Sequence, residues 1–330
     1  MKLIILGITG LVGRKICQII EERKLNFDEI LGFASPTSVG EKILLNNQEI
    51  LVKDLNEIFS YLDEKTYVLS SLEENITKEI IPKIREKTIV IDNSSVFRLN
   101  DDVPLCVPEI NKETLKNHKN LIANPNCTTI QLVLVLHPLR RLGEFKKVVL
   151  TSLQSVSGAG QDALDEYFYE LEFLAIGDEV VKSTDSPFPY VIADNLIPFI
   201  GEFNEEGYCK EELKIINESK KILNLPNLDI TATTIRVPIS HCHSISLYVE
   251  FENPVEKEKI IEELGKESYL KVLKEEIPMP LIAKEKDLVY VGRIRKIDEK
   301  RYWFFIVADN LRRGAATNAV LILEELLKVI

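Results

Sequence analysis

A chain of 330 residues, 45% hydrophobic and 28% charged, has the length of about two domains and enough apolar content to fill sizeable cores, which excludes a disordered chain. Its formal net charge of −11 argues against broad binding to nucleic acid or to an anionic membrane, yet allows a local basic pocket for a phosphorylated ligand. No apolar run approaches the ~20 residues of a membrane helix. The opening Met1-Lys2-Leu3-Ile4-Ile5-Leu6 could start a signal peptide, but Gly7, Thr9 and Gly10 break it and Arg14-Lys15 follow, so it reads as a first strand. Five cysteines, an odd number without CxxC spacing, suit free thiols in a reducing cytoplasm.

Short apolar runs alternate with helical patterns in the first third. Leu3 to Leu6 leads through glycines into Ile16, Ile19 and Ile20 at helical spacing. Ile30 to Ala34, Tyr67 to Ser70, Thr88 to Asp92 and Leu121 to Ala123 read as strands, with a helical segment over Lys78 to Lys87. This alternation predicts a Rossmann-like, doubly wound parallel sheet over residues 1–126. After Asn124-Pro125-Asn126 the strands lengthen: Lys147 to Val156, Thr231 to Val237, Ile245 to Phe251, Leu288 to Lys296 and Tyr302 to Ala308, the last two as a hairpin. Helical patterns cover Gln161 to Ile176, Lys210 to Asn224 and Val255 to Lys266. Residues 127–309 therefore read as an α+β domain with a largely antiparallel sheet that could supply a dimer face. Asn310 to Val329 reads as one long amphipathic helix, opened by Gly314-Ala315-Ala316, whose small residues allow close approach to another backbone.

The run Gly7-xx-Gly10-xx-Gly13 departs from GxGxxG spacing but sits between a strand and a helix, where glycines let a pyrophosphate approach helix N-terminal amides. With Thr9, Leu11 and Val12 it forms a candidate cofactor loop; a glycine-rich turn without a ligand is the alternative. The second strand ends in Ala34-Ser35-Pro36-Thr37-Ser38-Val39-Gly40, with no carboxylate until Glu41. Hydroxyls at Ser35, Thr37 and Ser38 tolerate a 2′-phosphate, which favours NADP over NAD.

Asn124-Pro125-Asn126-Cys127-Thr128-Thr129 follows a strand and precedes an apolar helical segment, Thr129 to Leu136. A thiol there feels the positive end of the helix dipole, which favours thiolate, and nearby amides could cradle an oxyanion. Cys17, Cys106 and Cys209 have no such setting and read as buried, inert thiols.

At this point the chain resembles the aspartate-semialdehyde dehydrogenase family along nearly its whole length. The matching blocks are Gly7 to Gly13, Asp92 to Arg98, Asp102 to Asn111, Asn124 to Gln131, Gln154 to Gly160, Arg236 to Ser244 and Asp309 to Val320. The related acyl-glutamyl phosphate reductases carry a glycine where Asn126 stands. The resemblance implies a cytoplasmic homodimer that reduces aspartyl 4-phosphate to aspartate 4-semialdehyde with NADPH, a step of lysine, threonine and methionine biosynthesis. It implies Cys127 as nucleophile forming a thioester, His243 as acid/base and Gln154 as the group orienting the acyl carbon. Arg236 would clamp the α-carboxylate, Glu211 the ammonium, Lys214 and Arg98 the phosphate, with Asn126 also at the substrate. Ser157, Gly158 and Asn318 would lie by the nicotinamide, so the terminal helix should pack on the first domain.

The residues themselves raise questions. Arg236 and His243 are seven apart, so one regular strand would send them to opposite faces unless it bends, with Pro238 as a plausible breaker. His241 and His243 would share strand parity, but no carboxylate or thiolate partner suggests a metal, and none is expected. Glu211 and Lys214 would share a helix face, the ordinary setting of a solvated ion pair. Two departures from the family stand out. Thr37 replaces a usual arginine, and Ser70-Ser71-Leu72-Glu73-Glu74-Asn75 replaces a small glycine-containing turn. Carboxylates there would repel a nucleotide's phosphates unless the loop turns outward. The alternatives are a reductase of another acyl phosphate, of the N-acetylglutamyl type, which Glu211 disfavours because an acetylated amine carries no charge, and a non-catalytic cofactor-binding relative.

Overall fold

The computed structural model describes residues 1–46 and 48–328. The chain divides into two units: Met1–Asn126 with the described chain from Ala315 onward, and Cys127–Gly314. In the first, β1 (Lys2–Leu6) turns into α1 (Leu11–Glu22), followed by β2 (Glu29–Ala34), β3 (Lys42–Leu45), β4 (Gln48–Asp54), β5 (Thr66–Ser70), α2 (Glu74–Ile84), β6 (Ile89–Asp92), the short α3 (Pro108–Asn111) and β7 (Leu121–Ala123). The sheet order is β3-β4-β2-β1-β5-β6-β7, parallel except for the β3–β4 hairpin. Strands are laid outward on both sides of β1, the Rossmann-like arrangement whose crevice opens at the carboxyl end of the central strand. Leu3 to Leu6 are fully buried, as expected for a strand covered on both faces.

The β3–β4 hairpin has no counterpart in the sequence reading. It lies at the sheet edge, where Ile43, Leu45, Ile50 and Val52 turn inward while Lys42, Leu44, Glu49 and Leu51 are exposed. Two exposed leucines blur the alternation that would have announced it.

The terminal segment corrects a second expectation. Residues from Asn310 do not start one helix: a π-turn over Arg312–Ala316 precedes an α-helix at Thr317–Leu327, and Val329 lies outside the described residues. The buried Asp309 carboxylate captures the amides of Leu311 and Arg312 at 2.9 and 3.0 Å, and its carbonyl takes that of Gly314 at 3.0 Å. Those bonds cap and open a π-helical turn, which helical periodicity alone does not distinguish from α-helix. From Ala316 onward, Ala319, Val320, Ile322, Leu323 and Leu326 join Leu3, Ile5, Ile16, Ile20 and Ile122 in the first unit's core.

In the second unit α4 (Cys127–Leu139) and β8 (Phe145–Gln154) are followed by α5 (Gln161–Ile176), α6 (Lys210–Leu223), β9 (Ile230–Arg236), β10 (His243–Phe251), α7 (Lys257–Gly265), β11 (Leu270–Val272), α8 (Pro280–Ala283), β12 (Val289–Lys296) and β13 (Arg301–Ala308). The sheet order is β11-β12-β13-β10-β8-β9; its middle pairs are antiparallel, and both edge strands run parallel to their neighbours. One face alternates into a core: Val148 and Leu150 on β8, Ile245, Leu247 and Val249 on β10, Tyr302, Phe304 and Ile306 on β13. On it lies α4, buried from Thr128 to Leu136, in contact with β10, β12, β13, α6 and α7. A helix apolar all round must be buried all round. At about 1.5–3 kcal/mol for each large apolar side chain, that burial outweighs the few tenths by which Thr128, Thr129, Val133 and Val135 disfavour helix.

Candidate active site

Three adjacent strands deliver polar side chains to one end of the second sheet. Gln154 closes β8 and stands opposite Arg236, the last residue of its parallel neighbour β9. On the other side of β8, antiparallel β10 begins at His243, with Ser244 opposite Leu153. The chain does bend between Arg236 and His243: they flank β8 on separate strands, and residues 237–242, Pro238 among them, make the crossing outside any strand. His241 likewise lies before β10, so it shares no strand face with His243. Among the described residues no group of three or more His, Cys, Asp and Glu could hold a metal ion.

Cys127 opens α4 and is half-buried, whereas Cys17, Cys106, Cys209 and Cys242 are buried. Burial pushes the Cys17 thiol up to about 12 and those of Cys106 and Cys242 further still, so they stay protonated. Gly314, in the π-turn, lies against the candidate nucleophile: a Cβ there would stand 2.9 Å from Cys127 Cβ and 3.3 Å from its Cα. The small residues of the Gly314 segment thus do permit close approach to another backbone, at Cys127.

The Arg236 guanidinium is buried and feels the charges of Glu211 and Cys127; burial pulls its pKa below the usual arginine value, and those two groups push it back. Its Nη1 donates to the Ser155 carbonyl at 2.6 Å, and its backbone exchanges two hydrogen bonds with Ile197 at 2.8 and 3.0 Å. Glu211 sits in the first turn of α6, oriented by its neighbour: the Glu212 carboxylate accepts the amides of Cys209 and Thr234, both at 2.9 Å, tying α6 to β9. Gln154 Nε2 donates to Glu211 Oε1 at 3.3 Å, and Lys214 Nζ lies 3.6 Å from Glu211 Oε2. Glu211 is buried and Lys214 partly so, which removes the pair from the setting of a solvated ion pair.

His243 is wholly buried. Its Nδ1 accepts the Ser155 amide at 3.0 Å, and Nε2 has no hydrogen-bond partner among the described residues. Burial first, and the Arg236 charge second, hold its pKa well below the usual histidine value, so the ring is neutral near pH 7. Gly158 makes room for it: a Cβ would stand 3.0 Å from Arg236 Nη1 and from His243 Cε1, and 3.1 Å from Nε2. Ser157 belongs to a buried polar cluster with Ser155 and Asn310. Ser155 and Asn310 were not picked out from sequence. Their one local signal is position, since short polar residues at the ends of the apolar runs β8 and β13 mark where a strand leaves the core.

In the first unit Gly7 has φ +70° and a Gly13 Cβ would fall 2.2 Å from the Gly7 carbonyl, so β1 and α1 meet closely only with glycine at both positions. No side chain among the described residues caps α1, whose first amides belong to Leu11, Val12 and Gly13. Thr9 gives its carbonyl to Arg14 Nε at 2.8 Å. Beyond β2, the Ser35 and Thr37 hydroxyls are 2.8 Å apart with Ser38 in the same short turn, and Glu41 pairs with Arg14 at 3.3 Å. Asn318 is buried; its Nδ2 donates to Cys106 O and Asn124 Oδ1 at 2.9 and 2.7 Å, while Oδ1 has no partner. Arg98 is held by the carbonyls of Asn124 and Asn93 at 2.9 and 2.7 Å, and Asn126 is buried. The segment that departs from the family pattern resolves simply: Glu73 is exposed at the start of α2, and the Glu74 carboxylate accepts the Ser95 hydroxyl.

Residues 2–118 match the family model described as semialdehyde dehydrogenase, NAD binding domain, and residues 136–313 match semialdehyde dehydrogenase, dimerisation domain. The chain is 40% identical to the aspartate-semialdehyde dehydrogenase of Aquifex aeolicus, across 98% of this chain and 97% of that one. It is 36% identical to the Bacillus subtilis enzyme, with the same coverage. A crystal structure of aspartate semialdehyde dehydrogenase II from Vibrio cholerae superposes with TM-score 0.94 at 34% identity, covering 99% of this chain and 98% of that one; the same protein has been solved in complex with ASA. On fold, length and identity alike, the chain belongs to the aspartate-semialdehyde dehydrogenase family.

Proposed function

We propose that this chain converts aspartyl 4-phosphate to aspartate 4-semialdehyde through a thioester on Cys127, with NADPH as reductant. The observation that carries the reading is the second unit's arrangement: a half-buried thiol at a helix N-terminus, electrostatically coupled to a buried guanidinium, with a buried neutral imidazole whose Nε2 is unpartnered.

Arg236 suits the α-carboxylate, since a guanidinium offers two parallel donors in a fixed plane. Glu211 takes the ammonium, Gln154 orients the acyl group, and Lys214 and Arg98 serve the phosphate, with Asn126 also at the substrate. The Cys127 thiolate attacks the acyl carbon; the S–C bond forms and the C–O bond to phosphate breaks. His243 Nε2 faces the oxygen that becomes anionic, in a buried setting where one donor is worth most. Collapse of the reduced adduct returns the thiolate and frees the aldehyde.

The residues present fit a nicotinamide nucleotide. The Gly7–Gly13 turn, with Thr9, Leu11 and Val12, is a cradle that Cβ atoms would fill, and Asn318 Oδ1 is a buried acceptor awaiting a donor. Ser157, Gly158 and Asn318 would hold the nicotinamide end, and Ser35, Thr37 and Ser38 the adenosine ribose. When bound, the nucleotide supplies the hydride. Hydroxyls beyond β2, with the Glu41 carboxylate drawn to Arg14, support NADP over NAD. The dimerisation-domain match supports a homodimer, and the free thiols a cytoplasmic setting. Incubation with semialdehyde, inorganic phosphate and either nucleotide tests this: reduction of NADP that requires phosphate is expected. Absence of phosphate-dependent reduction with both nucleotides would overturn it.

A further inference from the structure

Behind His243 lies a polar chain of Asn310, Ser157 and Ser155, of which the proposed function uses only Ser157, at the nicotinamide end. Asn310 Oδ1 accepts the amide of Cys242 at 2.9 Å, a backbone donor that decides which end of the carboxamide is oxygen. Cys242 presents that amide from a left-handed backbone, φ +73°, immediately before the histidine. Asn310 Nδ2 then donates to Ser157 Oγ at 3.0 Å. With one lone pair so engaged, Ser157 has its own proton for Ser155 Oγ, 3.2 Å away. The Ser155 hydroxyl lies 3.1 Å from both Asn310 Oδ1 and His243 Nδ1, and the Ser155 amide is aimed at the same Nδ1 at 3.0 Å. All four side chains are at least 98% buried, so water does not compete.

We infer that Asn310, Ser157 and Ser155 are positioning residues that lock His243 as the tautomer carrying its proton on Nε2, making it a fixed hydrogen-bond donor to the reacting oxygen rather than a base for the thiol. The direction of the chain supports this. It starts at a carboxamide NH₂, which can only donate; a hydroxyl that accepts one proton can pass its own onward, toward Nδ1 or back to Asn310 Oδ1, and in either arrangement the Ser155 amide donates to Nδ1. A proton on Nδ1 would confront the Ser155 amide, and the Ser155 oxygen already has Ser157 as a donor. The remaining ring nitrogen then bears the hydrogen. A nitrogen that already carries one cannot take the thiol's proton, so thiolate formation is left to the helix terminus and Arg236. The charged group facing the ring is the Arg236 guanidinium, which also disfavours imidazolium. The role as donor in turnover rests on the function proposed above; the tautomer does not.

The test uses full-length protein labelled with ¹⁵N-histidine, the His243 ring signals being assigned by their loss in His243→Gln. A pyrrole-like Nε2 and a pyridine-like Nδ1 near neutral pH are expected. Asn310→Asp keeps the acceptor for Cys242 but has no N–H to give. Ser157 then turns its proton to the carboxylate, Ser155 Oγ becomes an acceptor, and protonation shifts toward Nδ1. At least a tenfold fall in kcat, with KM changed less than about threefold, should accompany that shift. Ser157→Ala, a smaller change should Asn310→Asp fail to fold, breaks the chain midway and should move the ring signals in the same sense. A pyridine-like Nε2 in the unmodified protein, or a folded variant with unaltered ring signals and kcat, would overturn the lock. Wild-type protein with the expected tautomer but no semialdehyde turnover would sustain the lock and sink the proposed function; turnover with the opposite tautomer would do the reverse.

Discussion

The glycine turn of the first unit and the strand ends of the second solve opposite problems. Around Gly7 and Gly13 the side chains are absent so that backbone can approach backbone: a single methyl at Gly13 would fall 2.2 Å from a carbonyl. Around Gln154, Arg236 and His243 the side chains are the device, buried in full and left with polar atoms to spare, as at His243 Nε2. A buried polar group without a partner costs about 1–3 kcal/mol. The second unit bears that cost on a sheet and an all-apolar helix whose burial makes it tolerable. The lesson is that a backbone site is stabilised by the shape of its own loop, whereas a side-chain site draws on the stability of the elements beneath it.

Substitutions can test that contrast, and the largest effect should come from the nucleophile. Cys127→Ser should cost at least about 10⁴-fold in kcat with an unchanged circular dichroism spectrum and melting temperature, because a hydroxyl is a far poorer nucleophile at neutral pH. Gly314→Ala, acting only through its approach to Cys127, should lower kcat by about 10²-fold, the scale of a misplacement near 1 Å, in steady-state assays that leave KM nearly unmoved. Arg236→Lys should instead appear in KM for the semialdehyde, by about 30-fold, the equivalent of ~2 kcal/mol for a lost charge-assisted hydrogen bond. Gly13→Ala should behave as a packing fault of the first unit, costing about 1–3 kcal/mol in urea unfolding and weakening nucleotide binding in titration, with Cys127 still open to alkylation.

The smallest expected effect is one of pH. Unfolded, His243 has an ordinary pKa near 6.5; folded, it lies well below that value through burial and Arg236. The unfolded chain therefore binds more protons once the pH drops below about 6.5, and stability falls with it, by up to about 1.4 kcal/mol per pH unit for one such group. His118 contributes in the same direction through its own burial. Chemical denaturation between pH 7 and 5 should show His243→Gln losing stability less steeply than the wild type; equal slopes would place the proton uptake elsewhere.

Much of this was legible in the residues. The strands of the first unit other than the β3–β4 hairpin, the glycine turn and the strand–cysteine–helix setting of Cys127 are local, and each follows from a few neighbouring side chains with one physical preference. The odd spacing of Arg236 and His243 was read correctly as requiring a bend near Pro238, but parity says nothing about which strand comes next to which, so the place of β8 between them was not legible. The terminal helix opens with a π-helical turn that periodicity alone does not distinguish from α-helix, capped by the Asp309 carboxylate.

By itself, then, the sequence determined the elements with strong local signals, the doubly wound, parallel character of the first unit and the thiol set between a strand and a helix start. Only the tertiary structure decided that β8 runs between β9 and β10, that Gly314 backs Cys127, and that Asn310 reaches His243 through Ser157 and Ser155. The reason is physical. Turn and helix preferences act over a few bonds, whereas a buried hydrogen bond needs two groups from distant parts of the chain, and its direction is settled only when water has been removed from both.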